Sequence, residues 1–584
     1  MGRKQKLELT WIGKENRPKL EPRILLEDPA KSYHAAHQVT EGDRFDNRLI
    51  FGDNLLALKA LEAEFAGKVK CVFIDPPYNT GNAFEDYEDG LEHSLWLSLM
   101  RERIILLRRL MSAEGFFCCQ IDDAEGAYLK VLLDEIFGRS NYLTTIYMQV
   151  RYGNKTLAED NDYQKVIEQC LIYAKDSKLA KVVKEREPYK VEKFEWRIEE
   201  IEHGEVLELG RKKVEVFKPH QYVIKKVEPN LKGLKETWAT GSLVRQSGSS
   251  GEFLDRYIAP RKTIDGLSCL YKVYGMGEDG LGYRYMSGPK KATAKKGKFY
   301  SGIPLKTLEK IKNGDADKEK PIRNFYDFAG SFGNCRHEGG VDFRGGKKPE
   351  SLLQIVLKHF SCPNDLVLDS FAGSGTTAAV AHKMGRQWIA VEIGKQAYTH
   401  IRPRLVKVIN GEDAAGITKA VDWKGGGGFR YYHLAPSLLE KDKWDNWVIN
   451  KTYNPEMLAE ALCKLEGFTY APSETIYWQQ GHSTERDFIY VTTQTLNHHQ
   501  LTQLSEAVGD SRSLLVLCMA FRSTHTFENL TVKKIPKHIL SRCEWGHDDY
   551  SLKVENLPQA SPEPDPPATK KTPASNPDQL VLGL

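Results

Sequence analysis

The chain has no CxxC pair, no long apolar run and little net charge. Its ten cysteines are spread over 584 residues, which fits neither a disulfide framework nor a paired-cysteine metal site and suits a reducing compartment. Adjacent Cys118 and Cys119 would point to opposite faces of a strand and read as core. No stretch approaches the roughly 18 apolar residues of a membrane span, and Met1-Gly2-Arg3-Lys4-Gln5 leads into no apolar signal segment. A soluble protein of the cytoplasm, with no membrane partner, is expected. The formal charge is +4, so affinity for an anionic partner would have to come from local patches. The length allows two to four domains, each with its own core.

What is present centres on Asp75-Pro76-Pro77-Tyr78, directly after the apolar run Cys71-Val72-Phe73-Ile74. An unalternating run of that kind suits a strand buried on both faces of a parallel sheet, which delivers Asp75 at its carboxyl end. Two prolines then remove two N–H donors and fix φ near −65°. The stiff turn would hold a carboxylate, the Pro76 carbonyl and the Tyr78 ring together. Two acceptors and an aromatic face suit a planar ring bearing an amino group. The alternative is a plain turn with Asp75 as a helix cap.

Regular structure is expected from Leu49-Ile50-Phe51 onward, closed by Gly52-Asp53 and followed by a helix over 54–65. A helix over 94–111, a strand over 116–121 ending at Asp122-Asp123, a helix over 129–137 and a strand over 166–173 follow. Far downstream, Leu366-Val367-Leu368 ends in Asp369 and the loop Ser370-Phe371-Ala372-Gly373-Ser374-Gly375-Thr376-Thr377. A helix over 378–384 and the run Trp388-Ile389-Ala390-Val391, ending in Glu392, come next. Five apolar runs thus end in an acid: Asp53, Asp75, Asp122, Asp369 and Glu392. That pattern predicts an α/β fold, one doubly wound, mostly parallel sheet with an acidic rim at its carboxyl edge.

The glycine loop alone is ambiguous. No lysine follows its second glycine, which excludes a nucleoside-triphosphate P-loop, but Gly373-x-Gly375-x-x-Ala378 with a later acid also fits a dinucleotide fingerprint. Asp369-x-Phe371-x-Gly373-x-Gly375 taken with Asp75-Pro76-Pro77-Tyr78 resembles the S-adenosylmethionine-dependent amino-methyltransferases of DNA. With the tetrad first and a long insertion before the loop, the order is similar to the β class of adenine-N6 methyltransferases. Asn79-Thr80-Gly81 and Lys348-Pro349-Glu350, with Leu352 and Leu353, are similar to modification subunits of type III restriction systems.

The resemblance spans roughly residues 45 to 430 and implies a Rossmann-like methyltransferase sheet. It implies that Phe371, Gly373 and Gly375 lie against the methionine end of S-adenosylmethionine, that Glu392 accepts the ribose hydroxyls, and that Asp53 contacts the adenine region, with Asp369 opening the loop. It further implies that Tyr78 stacks on a flipped adenine while Asp75 and the Pro76 carbonyl accept its N6 hydrogens, Pro77 stiffening the turn. Asp at the first tetrad position favours adenine-N6 over cytosine-N4. A non-catalytic DNA-recognition subunit and a nicotinamide-dependent oxidoreductase stand as alternatives. Double-stranded DNA is the implied partner, in a prokaryotic, nucleoid-associated setting; a homodimer and a restriction-helicase partner subunit are left open.

The expected divisions are an arm over 1–45, methyltransferase halves over 46–180 and 346–424, and a target-recognition insertion over 181–345. A small C-terminal α/β domain over 429–557, entered by the flexible run Lys424-Gly425-Gly426-Gly427-Gly428, and a disordered tail over 558–584 complete the chain. In the insertion, Arg284, Lys290, Lys291, Lys295, Lys296 and Lys298 interleave with Tyr283, Tyr285, Phe299 and Tyr300 with almost no acids. That tract is the expected DNA contact. Cys335-x-His337-Glu338 lacks a second ligand pair, so no metal is expected.

Overall fold

Each apolar run that ends in an acid is a strand of one sheet in the computed structural model, which describes residues 8–78, 93–154, 163–314, 316–343, 346–523 and 525–550. The strands are β1 (Leu25–Glu27), β2 (Tyr33–His34), β3 (Asn47–Phe51), β4 (Val69–Ile74), β5 (Met111–Ile121), β6 (Tyr142–Gln149), β7 (Ile167–Ala174), β8 (Phe325–Asp327), β9 (Leu366–Asp369), β10 (Gln387–Glu392) and β11 (Gly428–Leu434). Their order is β1-β11-β3-β10-β9-β4-β5-β7-β6-β8, with β2 also on β11. From β11 to β5 the neighbours are parallel; β7 is antiparallel to both β5 and β6.

The central strands read as continuous apolar runs because both faces are covered. Val72 and Ile74 enter a core with Phe117, Cys119 and Leu368, packed by α1 (Asn54–Phe65), α2 (His93–Leu110) and α3 (Asp123–Phe137). Cys71 and Phe73 enter the opposite core with Phe116, Cys118 and Val367, under α4 (Glu350–Phe360), α5 (Thr376–Lys383) and α6 (Arg402–Ile409). Cys118 and Cys119 accordingly sit on opposite faces. From β9 the chain passes through α5 to β10 on one side, and from β4 through α2 to β5 on the other. The gap between β9 and β4 is therefore the topological switch point, where open α/β sheets hold ligands.

The expected divisions shift in three places. The N-terminal arm supplies β1 and β2, both antiparallel to β11. The glycine run is a packed connection: Gly426 N donates to the Ile409 carbonyl and Gly428 N to the Arg44 carbonyl. A Cβ on Gly426 would lie 2.5 Å from Asp43 Oδ2, and one on Gly427 2.7 Å from the Arg44 carbonyl, so glycine here answers close approach and positive φ. It leads into β11 of the main sheet, so the C-terminal region begins later than residue 429. That region holds a five-stranded sheet in which Asp487–Asn497, Ser513–Arg522 and Leu530–Lys534 run parallel, with helices at Pro455–Glu466 and His498–Val508. The expected tail lies outside the described residues.

The chain divides into two compact units, 1–183 with 323–584, and 184–322. The second unit is narrower than the expected insertion, since β8 pairs in parallel with β6 of the main sheet. Its six-stranded antiparallel sheet packs Val214, Val216, Tyr271, Val273, Met286 and Phe299 beneath Phe253, Leu254 and Ile258. No described helix is long and apolar enough to cross a membrane.

Candidate functional site: a cleft at the carboxyl edge of the main sheet

Pairing of Leu368 with Val72 sets the ends of β9 and β4 side by side, so the glycine loop and the Pro-Pro turn leave the sheet at the same edge. Phe371 and Tyr78 belong to the same hydrophobic core, Tyr78 partly buried at its margin. The Tyr78 hydroxyl bridges Asp75 Oδ1 at 2.7 Å and Glu168 Oε2 at 2.9 Å. Lys348 Nζ lies 2.9 Å from Asp75 Oδ2, 3.7 Å from Glu168 Oε2 and 4.9 Å from the centre of the Tyr78 ring. Gln120 Nε2, at the end of β5, donates to Glu168. Trp96 Nε1 donates to the Pro77 carbonyl at 3.0 Å; among the described residues no donor is recorded on the Pro76 carbonyl. Asn79-Thr80-Gly81 lies outside the described residues.

Electrostatics in this turn are set by burial. Burial pushes the Asp75 carboxyl up, Lys348 opposes that push and Glu168 adds to it. Burial alone would lower the Lys348 ammonium, yet Asp75 and Glu168 more than reverse it, so the cation is retained.

The glycine loop is shaped by its acids. Asp369 Oδ1 accepts from Phe371 N at 2.9 Å and Oδ2 from Thr377 Oγ1 at 2.6 Å. Glu392 Oε2 accepts from Gly373 N at 2.7 Å, and Oε1 from Gly394 N at 2.9 Å and Gln396 Nε2 at 3.0 Å. Gly375 has φ +73°, and a Cβ there would lie 2.7 Å from Ile401 Cγ2, so the turn into α5 requires glycine. Gly373, at φ +52°, has only the Phe371 carbonyl within 4 Å of an added Cβ, at 3.9 Å, so its backbone borders open space. Burial raises the Asp369 carboxyl to about 7, the Thr377 and Phe371 donors work against it, and Asp75 and Glu392 add to it. Asp369 therefore senses the acids at the two neighbouring strand ends, and Lys348 is the one cation at the tetrad among the described residues.

Asp53 and Asp122, two further acids of the rim, stand at helix starts. Asp53 caps α1, Oδ1 accepting from Leu55 N at 2.8 Å and Leu56 N at 3.1 Å. Its Oδ2 takes Tyr550 N at 2.9 Å and lies 3.5 Å from Arg103. Both oxygens are engaged within the protein, and the neighbouring Asn54 Nδ2 donates to the Ser370 carbonyl at 2.8 Å. Asp122 caps α3 through Ala124 N and pairs with Lys165.

In the inserted unit, three of the six cations expected at DNA are engaged in ion pairs. Arg284 is nearly buried and pairs with Asp279 at 3.3 Å, Lys296 with Asp255 at 2.6 Å and Lys298 with Glu236 at 2.5 Å. Asp279 lies just ahead of Arg284 in the chain, whereas Asp255 and Glu236 are brought in from farther away. Lys290, Lys291 and Lys295 are exposed. Cys335 is buried and Glu338 accepts from Glu350 N at the head of α4; no metal-holding cluster exists among the described residues.

Lys348 and Glu168 carried no role in the sequence reading. Lys348 was visible only within Lys348-Pro349-Glu350, and Glu168 had no signal, because β7 reaches the tetrad through antiparallel pairing alone. The tripeptide is a joint. The Lys348 carbonyl accepts from Thr376 Oγ1 of the glycine loop at 3.1 Å, Pro349 precedes α4, and Glu350 receives Lys383 and Arg404 at 2.8 Å each. Burial alone would raise the Glu350 carboxyl, but the two cations hold it below its ordinary value.

The N6/N4 DNA methylase family profile matches residues 69–402, more than half of the chain, and spans both loops. The chain belongs to the DNA methylase family. The methylase is 31% identical over 445 residues to the probable type III restriction-modification enzyme HindVI Mod subunit of Haemophilus influenzae, covering 73% of this chain and 58% of that protein. It is 27% identical over 373 residues to the StyLTI Mod subunit of Salmonella typhimurium, covering 58% and 50%, and 24% identical over 521 residues to the EcoP15I Mod subunit of Escherichia coli, covering 77% and 74%. The methylase thus spans little more than half the length of the first two relatives.

Proposed function

We propose that this methylase transfers a methyl group from S-adenosylmethionine to N6 of an adenine extruded from duplex DNA, as the modification component of a restriction-modification system. The observation that carries this is the exit of the Asp75-Pro76-Pro77-Tyr78 turn and the glycine loop from neighbouring parallel strands at the switch point. The similarity to Mod subunits supports the setting.

The residues present fit the donor. Gly373 borders open space where any Cβ would intrude, Phe371 offers an apolar wall, and the Asp369 carboxyl, raised by burial and further by Asp75 and Glu392, favours a cation beside it. S-adenosylmethionine, when bound, supplies an electrophilic methyl group on a sulfonium. Glu392 exchanges its loop amides for ribose hydroxyls, while Phe371, Gly373 and Gly375 line the methionine end.

Tyr78 stacks on the adenine, and Asp75 and the Pro76 carbonyl accept the two N6 hydrogens, turning the nitrogen lone pair toward the methyl group. Extrusion costs a few kcal/mol and stacking offsets part of it. Positioning of nucleophile and methyl in line supplies much of the acceleration. Lys290, Lys291 and Lys295 of the inserted unit contact phosphates.

The test is incubation of unmodified plasmid DNA with the donor, followed by nucleoside mass spectrometry. N6-methyladenine, lost with Asp75→Ala, is expected. N4-methylcytosine in its place would reassign the base, and DNA binding with no methylated product would make the chain a recognition subunit.

A further inference from the structure

We propose that Lys348 is a positioning residue of the acceptor pocket: its ammonium stands in the amino-group subsite of the Asp75–Tyr78 turn and moves to Glu168 when a base enters. This rests on the methylation proposed above. An amino group that donates to Asp75 while its ring lies on Tyr78 must occupy the place Lys348 Nζ now holds, 2.9 Å from Asp75 Oδ2 and 4.9 Å from the ring centre. The other oxygen, Oδ1, is already taken by the Tyr78 hydroxyl. The ammonium and the substrate amine therefore compete for one acceptor and one aromatic face.

The alternative seat is present. Glu168 Oε2 lies 3.7 Å from Nζ, so a displacement of about 1 Å brings it to hydrogen-bonding distance. Glu168 is held from a further side by Gln120 Nε2, and the Tyr78 hydroxyl, whose single hydrogen is on Asp75, lies 2.9 Å from it. The Lys348 backbone is tied to Thr376 of the glycine loop and precedes α4, so the flexible stem is what moves. In the base-free state the cation neutralises Asp75. In the base-bound state it neutralises Glu168 and frees Oδ2 for the amine. The groups that face Asp75 are otherwise acidic or neutral: Glu168 from β7, Tyr78 from the turn, Asp369 from β9, and the thiols of Cys119 and Cys170. Without Lys348, Asp75 and Glu168 would share a buried site with no cation, and one of them would hold a proton.

The test uses the full chain with Lys348→Met and Lys348→Arg, methylating unmodified plasmid DNA across pH 5.5 to 9, with kcat and KM for DNA determined separately. Lys348→Met is expected to move the acid limb of kcat up by about one pH unit, about a tenfold loss at the acid end that closes toward pH 9, with KM not raised. Lys348→Arg is expected to keep the wild-type limb. In parallel, reductive methylation of wild-type lysines read by peptide mass spectrometry is expected to show Lys348 less reactive with DNA and S-adenosylhomocysteine present than without, because the entering base covers an amine that stays paired with Glu168. An unmoved acid limb, or a raised KM with a smaller salt dependence, overturns the proposal, the latter making Lys348 a phosphate contact. If Lys348→Met does not fold, an unchanged Lys348 reactivity overturns it alone. Wild-type protein that methylates no DNA overturns the parent assignment, and this one falls with it.

Discussion

At the carboxyl edge of the main sheet, Asp75, Asp369 and Glu392 face one another across adjacent strand ends with Lys348 at the tetrad. In the 284–298 tract of the inserted unit, six cations line up along the chain, and three are matched by acids outside it, Asp279 just ahead of the tract and Asp255 and Glu236 farther back. The first region leaves charge unbalanced where a ligand would sit; the second balances charge that looks free in one dimension. Strand ends inherit their position from the sheet, so an acid at a strand end is also an acid at the rim. Lysines in an antiparallel meander have no such constraint, and cross-strand neighbours decide their partners.

The largest effect that would break this contrast is at the tetrad. Asp75→Ala removes the acceptor for the N6 hydrogens and leaves Lys348 buried beside Glu168. Methyl transfer to plasmid DNA is expected to fall by about a thousandfold or more, with circular dichroism and DNA affinity near wild type. A fall of less than tenfold would make the rim a structural feature.

Next comes the pH dependence of the glycine loop. The Asp369 carboxyl ionises near 4 when unfolded and at about 7 when folded. Between those values the folded state holds more protons, so stability falls as pH rises from about 4 to 7 and is level above. Asp369→Asn retains an acceptor for Phe371 N and removes the charge. It should flatten this slope and raise the melting temperature at pH 8 by an amount equivalent to a few kcal/mol at most, while weakening S-adenosylmethionine binding by calorimetry. A slope unchanged by the substitution would show that neither burial nor the neighbouring acids raise the Asp369 carboxyl.

A smaller, purely steric effect is expected at Gly375→Ala. The added Cβ meets Ile401 at 2.7 Å in a left-handed turn, which costs about 1–3 kcal/mol. Because Gly373 borders space instead, Gly373→Ala should lose donor affinity while costing stability only through its left-handed φ of +52°, about 1 kcal/mol and less than at Gly375. The pair separates a residue that shapes the loop from one that borders the ligand.

Much of the fold was legible because five apolar runs each ended in an acid, and parallel β-α-β topology converts that into a common rim. The tetrad and the glycine loop were legible because each is local, with its geometry written in consecutive residues. What was hidden came from pairing over long sequence distances. Glu168 reaches Asp75 only because β7 runs antiparallel to β5. Asp53, expected against the donor's adenine, also caps the start of α1 and takes Tyr550 N, 497 positions away, a pairing with no local signal. The glycine run 425–428 looked like a linker because flexibility and close packing both select glycine, and only contacts with Arg44, Ile409 and Asp43 tell them apart.

The last and smallest expected effect sharpens the other side of the comparison. If sequence charge becomes DNA contact only where no acid neutralises it, the exposed Lys290, Lys291 and Lys295 carry the phosphate term and Arg284 does not. Replacing the three lysines by alanine should weaken DNA binding about tenfold near 0.1 M salt and reduce the slope of log affinity against log salt by up to about 3, since each phosphate contact contributes roughly 0.9. Arg284→Ala should leave that slope unchanged and instead lower the melting temperature of the inserted unit, because it strands the buried Asp279 that also accepts from Gly302 N. Fluorescence anisotropy across a salt series measures the first and calorimetric unfolding the second. A salt slope that drops with Arg284→Ala but not with the triple substitution would mean that the Asp279 pair opens on DNA, and that neutralised cations in this unit are held in reserve.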